Sequence, residues 1–301
     1  MSAPAVRPTP AGRAPWSAGV RRHPLVAFFL LAFALTWAIM VPLVLASHGL
    51  LPFPDALPLL VVMGYGPTFA AVLVTGALGG RAAVRGLLGR LLIWRVGWGW
   101  WAAALFLSAG VVLEALGLYA LLGNPVAPFP APTPRLLLDV GLTFLVVGLV
   151  NGEEVGWRGF ALPRLLARSG VAGSVAVLGT LVALFHLPIF FSNGASPAGG
   201  QNGTPFPAFL ASALLLTLLF TWLSQHTRGS LLIATVFHAS MNTWTTVLPV
   251  PAASATFSWL LVAALLVAVG LVLAVGGTAW VARPAPAAAP RPARPPQPAP
   301  A

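Results

Sequence analysis

The chain has 301 residues, of which 58% are hydrophobic and only 7% charged, and its net charge of +11 rests on sixteen basic residues that are all arginine. Soluble domains carry about 25% charged residues, so this composition excludes an ordinary soluble fold and predicts an all-α polytopic membrane helix bundle. The absence of cysteine excludes disulfides, thiolate nucleophiles and Cys-ligated zinc.

Residues 1–24 are rich in Pro, Ala and Arg and too poor in apolar bulk to build a core, so they read as a disordered tail. Crossing the hydrocarbon takes about 20 helical residues at 1.5 Å each. Eight apolar segments come close to that length: 25–46, 57–78, 98–121, 136–151, 171–191, 207–224, 230–248 and 257–281. The first is too long to be the apolar core of a cleaved signal peptide. Trp94, Trp98, Trp100 and Trp101 cluster where the third begins, as interfacial aromatic belts do. The fourth is short and runs into Glu153 and Glu154, which predicts that its helix breaks or tilts there. A second Pro/Ala-rich disordered tail follows at 283–301, which leaves 25–282 as the bundle.

The arginines give an independent reading of topology, because cytoplasmic loops collect Lys and Arg. They fall in the amino tail and after the second, fourth, sixth and eighth spans, and Arg135 alone lies in an opposite loop. Both termini are therefore expected in the cytoplasm. The basic excess reads as orientation and contact with the lipid bilayer, and no aromatic–basic motif points to nucleic acid. Arginine in place of lysine, with abundant Ala, Gly and Pro, suggests GC-rich coding and a bacterial cell membrane.

Only five acidic residues are present, and two of them are adjacent in the stretch NGEEVGWRGFALPR, residues 151–164. A charge at the centre of a membrane helix costs about 2.5–3.5 kcal/mol on insertion scales, so such residues are paired, interfacial or functional. In a helix Glu154 and Arg158 share a face and can pair, while Glu153 is rotated by about 100° toward another surface. A capping and salt-bridge cluster among lipid headgroups is the alternative for this pair.

His23, His48 and His226 sit at the ends of spans and read as boundary residues. His186 and His238 lie inside the fifth and seventh spans, and Asn242 shares a helical face with His238. A Glu that holds a water, a His beside it, and a second His with an Asn that donates hydrogen bonds are the parts needed to hydrolyse an amide.

These residues carry a resemblance. Glu153, Glu154 and Arg158 followed by Gly159 resemble the EExxxR signature of the CPBP family, the CAAX proteases and bacteriocin-processing enzymes also called Abi proteins. His238 and Asn242 resemble its HxxxN element, and His186 the His of its FxxxH element, with Val182 where the family has Phe. Gly66, Pro67 and Thr68 resemble a turn common in the family. The resemblance covers about residues 57–250, with the motif region at 136–250.

The resemblance implies an intramembrane endopeptidase built as a helical bundle with a cytoplasm-facing cavity, acting on a peptide or membrane-protein substrate. By position, Glu153 and His186 would activate water, His238 and Asn242 would form the oxyanion site, and Glu154 with Arg158 would hold the first motif helix. It also leaves open a metalloprotease with zinc held by Glu153, His186 and His238, although no HExxH is present. Two other readings use the same polar residues. A proton-coupled transporter would show paired repeats, which are not evident. An inactive scaffold or bacteriocin-immunity protein is the other.

Overall fold

The computed structural model describes residues 15–52, 56–193, 203–251 and 254–281. Among them every regular element is helical: α1 (Pro15–Arg22), α2 (Pro24–Ser47), α3 (Ala56–Gly64), α4 (Gly66–Gly89), α5 (Trp98–Leu121), α6 (Pro134–Val150), α7 (Leu162–Phe185), α8 (Phe206–His226), α9 (Leu231–Val247) and α10 (Ala255–Gly276). A helical membrane bundle follows, since a backbone in hydrocarbon must satisfy its own hydrogen bonds.

Each of the eight expected spans finds a helix, but among the described residues six rather than eight are long and apolar enough to cross by themselves. The two that fall short are α6 and α9, with 17 residues each. At 1.5 Å per residue these reach about 25 Å, a little less than a hydrocarbon core of about 30 Å. The expected second span, 57–78, is broken at Tyr65, and the apolar crossing there is Gly66–Leu92. Gly64, Tyr65, Gly66 and Pro67 account for the break, because two glycines cost helix stability and the proline favours a first-turn position.

Two crossings bend at glycine. Gly80 in α4 has φ +65° and Gly170 in α7 has φ +63°, a left-handed conformation that only glycine adopts freely. The expected fifth span, 171–191, thus corresponds to the second half of a longer element, and α7 stops at Phe185. Of the two tails expected to be disordered, residues 1–14 and 282–301 lie outside the described residues, while Pro15–Arg22 forms the short helix α1.

Two apolar clusters organise the bundle. One joins α2, α4 and α7 through Phe28, Ala71, Val74, Trp157, Phe160 and Phe185. The other joins α5, α8, α9 and α10 through Val112, Leu219, Phe220, Phe237 and Leu265. Polar residues gather between them.

Candidate active site

The stretch after α6 is shaped by close packing against the start of α4. Asn151 and Gly152 turn the chain, and Thr68 Oγ1 donates to the Gly152 carbonyl. Tyr65 Oη donates to the Leu149 carbonyl at 2.7 Å. A Cβ on Gly156 would stand 2.5 Å from Pro67 Cβ, so a glycine is required for this approach. Gly66, Pro67 and Thr68, singled out in the sequence, are thus the platform that receives the Glu pair.

Val155–Ala161 is a wide π-helical turn leading directly into α7. Such turns are uncommon and often mark functional positions. Pro163, which lacks an N–H, leaves the carbonyl of Gly159 without its helical donor. Arg90 supplies the replacement: Nη1 donates to Gly159 O at 2.9 Å, Nη2 to Arg158 O at 3.3 Å and Nε to Gly229 O at 2.8 Å. In the sequence Arg90 carried only a topological meaning, and the fold uses it as a clamp.

Glu153, Glu154 and Arg158 are 8%, 1% and 4% exposed. Arg158 Nη1 donates to Glu154 Oε1 at 3.0 Å, the pairing anticipated from their spacing. The guanidinium also lies 3.6 Å over the ring of Phe220, which ties the turn to α8. Glu154 does more than hold its own helix, because Nδ1 of His238 donates to the same Oε1 at 2.8 Å. Among the described residues Glu154 Oε2 and Arg158 Nε are buried without partners. An incompletely satisfied buried pair is a weak stabiliser. Its hold on His238 explains it better than stability does.

Glu153 is held separately. The indole Nε1 of Trp157 donates to its Oε2 at 2.9 Å, leaving Oε1 to face His186 Nε2 across 3.8 Å. That separation is too long for a direct hydrogen bond and suits a bridging water. His186 is not inside a helix, as the sequence suggested, but caps the C-terminus of α7 just before Pro188. Its Nδ1 donates to the Val182 carbonyl at 2.8 Å, which fixes the ring and turns Nε2 toward Glu153. The family-pattern departure at Val182 therefore falls on a residue whose backbone, not side chain, anchors the histidine.

Asn151, Glu153, Arg158, His186, His238 and Asn242 line one cavity of about 260 Å3, with Glu154 behind its wall. The Nδ2 of Asn151 is buried without a partner, and the Asn242 side chain has no hydrogen bond to any described residue. Both amides are available to a guest. Trp157 and Asn151 escaped the sequence reading, although Trp157 follows Glu153 by the same four residues that flagged Glu154 and Arg158.

Among the described residues no three His, Asp or Glu draw together as a ligand set. Glu153 faces His186, while His238 turns its Nδ1 to Glu154.

Residues 133–244, which contain every residue that lines the polar cavity, match the family model described as type II CAAX prenyl endopeptidase Rce1-like. A stretch of 105 residues is 29% identical to a protein of Methanococcus maripaludis named CAAX prenyl protease 2, covering 34% of this chain and 39% of that protein. The chain thus spans about two-fifths of the length of the relative that it matches. Asn151, Glu153, Arg158, His186, His238 and Asn242, gathered on one cavity, all lie within the segment that is similar to this family.

Proposed function

We propose that the chain is an intramembrane endopeptidase that hydrolyses a peptide bond with a water held between Glu153 and His186. The observation that carries this reading is the 3.8 Å gap between Glu153 Oε1 and His186 Nε2 at the wall of a polar cavity. A water in that gap donates one hydrogen to each group and directs an oxygen lone pair at the substrate carbonyl carbon. Glu153 takes the proton as the C–O bond forms. It then returns the proton to the leaving amine as the C–N bond breaks, giving a carboxylate and an amine.

Negative charge gathers meanwhile on the carbonyl oxygen. Asn242 and His238 stand on one face of α9 to receive it. A His238 protonated on both nitrogens donates through Nδ1 to Glu154 and keeps Nε2–H for the oxyanion. Asn151 offers a further donor. Glu154 fixes the geometry from behind the cavity wall, and Arg158, at the wall, holds Glu154 in place. No step passes through a metal.

The test is cleavage of a panel of lipidated and transmembrane peptides by the purified chain, with Glu153→Ala alongside and a chelator arm. Cleavage that disappears in Glu153→Ala and survives chelation supports this reading. Cleavage abolished by chelator and restored by zinc overturns the metal-free route. Glu153-independent cleavage removes Glu153 from the chemistry, and no cleavage by folded protein favours the transporter or scaffold readings.

A further inference from the structure

Two of the membrane crossings are longer than a membrane needs. Gly66–Leu92 has 27 residues and Val155–Phe185 has 31. At 1.5 Å per residue these reach about 40 and 46 Å, against a hydrocarbon core of about 30 Å. The bends at Gly80 and Gly170 set off the excess as two short arms, 81–89 and 162–169. Leu87 of the first arm and Leu162 and Leu165 of the second are buried in one cluster, so the arms lie together at the same end of the bundle.

Where the arms meet the wide turn, Arg90 and Arg164 bond adjacent carbonyls. Arg90 takes those of Arg158 and Gly159, while Arg164 Nη1 donates to the Phe160 carbonyl at 2.9 Å with its guanidinium 3.7 Å over the Phe160 ring. Two guanidinium groups thus hold three consecutive carbonyls, which sets two positive charges side by side. Arg168, exposed and one helical turn beyond Arg164 on the same face, adds a third, and Arg164 is within electrostatic reach of both.

No carboxylate balances them. Asp139 pairs with Arg135 and Glu154 with Arg158, and among the described residues none forms an ion pair with Arg90, Arg164 or Arg168. Like charges four residues apart weaken a helix, so this cluster works against the fold unless an anion joins it. Guanidinium forks match the oxygens of a phosphate two at a time. At the end of the first arm Leu88, Leu92 and Trp94 are also exposed, by 37%, 78% and 57%. A free phosphate makes no use of that apolar fringe, whereas a phospholipid offers hydrocarbon and phosphate together.

We propose that Arg164 and Arg168, with Arg90 beside them, bind the phosphate of an anionic phospholipid, and that the bound lipid fastens the turn that carries Glu153 and Glu154. The lipid neutralises the charges that hold the carbonyls of Arg158, Gly159 and Phe160, and so keeps both guanidinium groups on the turn. Neither binding nor fastening depends on the peptidase reading above.

The experiment places the full chain in nanodiscs of phosphatidylcholine alone or mixed with phosphatidylglycerol. Lipid retained by the released protein is counted by native mass spectrometry, and amide exchange is followed across residues 155–161. Phosphatidylglycerol is retained over phosphatidylcholine by about tenfold or more, and Arg168→Gln cuts that preference by about fivefold, the attraction of one arginine. Arg164→Lys keeps the charge, loses the fork and also lowers the preference, which keeps the test alive if Arg168→Gln does not fold. Arg81→Gln, about 13 Å from Arg90 along the arm, controls for general surface charge and leaves the preference unchanged. Exchange across the turn slows by about fivefold or more with phosphatidylglycerol in wild type and not in Arg168→Gln.

Equal retention of the two lipids, or equal losses in Arg81→Gln and Arg168→Gln, overturns the site. Slower exchange with inorganic phosphate alone, in phosphatidylcholine, overturns the lipid as its occupant. Selective retention without slower exchange overturns the fastening of the turn. None of these readouts involves cleavage, so each of these failures leaves the peptidase reading standing.

Discussion

Nδ1 of His238 lies 2.8 Å from Oε1 of Glu154, the same oxygen that accepts from Arg158. One carboxylate atom therefore joins the wide turn before α7 to the middle of α9, across a sequence separation of 84 residues. The second glutamate of the pair is a bridge between motifs, and the first is free to face the cavity.

Removing that bridge should damage fold and activity together. Glu154→Ala leaves Arg158 buried and unpaired, a change that costs about 3–5 kcal/mol in comparable sites. Folded yield in detergent should fall sharply, and Arg158→Ala should lower it too. Normal yield of Arg158→Ala with lost cleavage would move Arg158 from support into the chemistry.

Trp157→Phe should separate positioning from packing. The ring contacts with Phe28 and Phe185 are largely kept, while the donor to Glu153 Oε2 is lost. A hydrogen bond to a charged group contributes about 1.5–3 kcal/mol, so kcat should drop by about 10- to 100-fold with KM little changed. An unaltered kcat in folded protein would show that the indole does not orient the carboxylate.

Arg90→Met should act through the main chain. It strips donors from the carbonyls of Gly159, Arg158 and Gly229, and each buried acceptor left unmade costs about 1–3 kcal/mol. The expected outcome is a lower melting temperature in detergent. Restoring the proline's donor with Pro163→Ala should recover part of that loss, because the Gly159 carbonyl then regains a helical partner. No recovery would mean that Pro163 does not create the vacancy that Arg90 fills.

The arginine distribution predicts that both termini face the cytoplasm. A reporter active only in the periplasm should stay silent when fused at either end. Activity at one end alone would mean that an odd number of segments crosses the membrane.

The membrane setting was legible because it depends on totals and runs: long apolar stretches cannot stay in water whatever their neighbours are. The Glu154–Arg158 pairing was legible too, since four residues of helix bring them together regardless of fold. The same rule would have reached Trp157, had a tryptophan been considered as a donor to Glu153. The break at Tyr65 was harder to see, because an apolar run gives no sign of where its helix is interrupted.

By itself, the sequence determined a helical membrane bundle, the residues able to do chemistry and the local pairing within one turn, all properties of composition and short spacing. Only the tertiary structure decided that His238 bonds Glu154, that His186 faces Glu153, and that Arg90 caps the turn made by Pro163. These contacts join residues tens of positions apart, on helices whose relative rotation is set by packing such as Gly156 against Pro67. Helical periodicity states which side chains share a face, and packing alone states which faces meet.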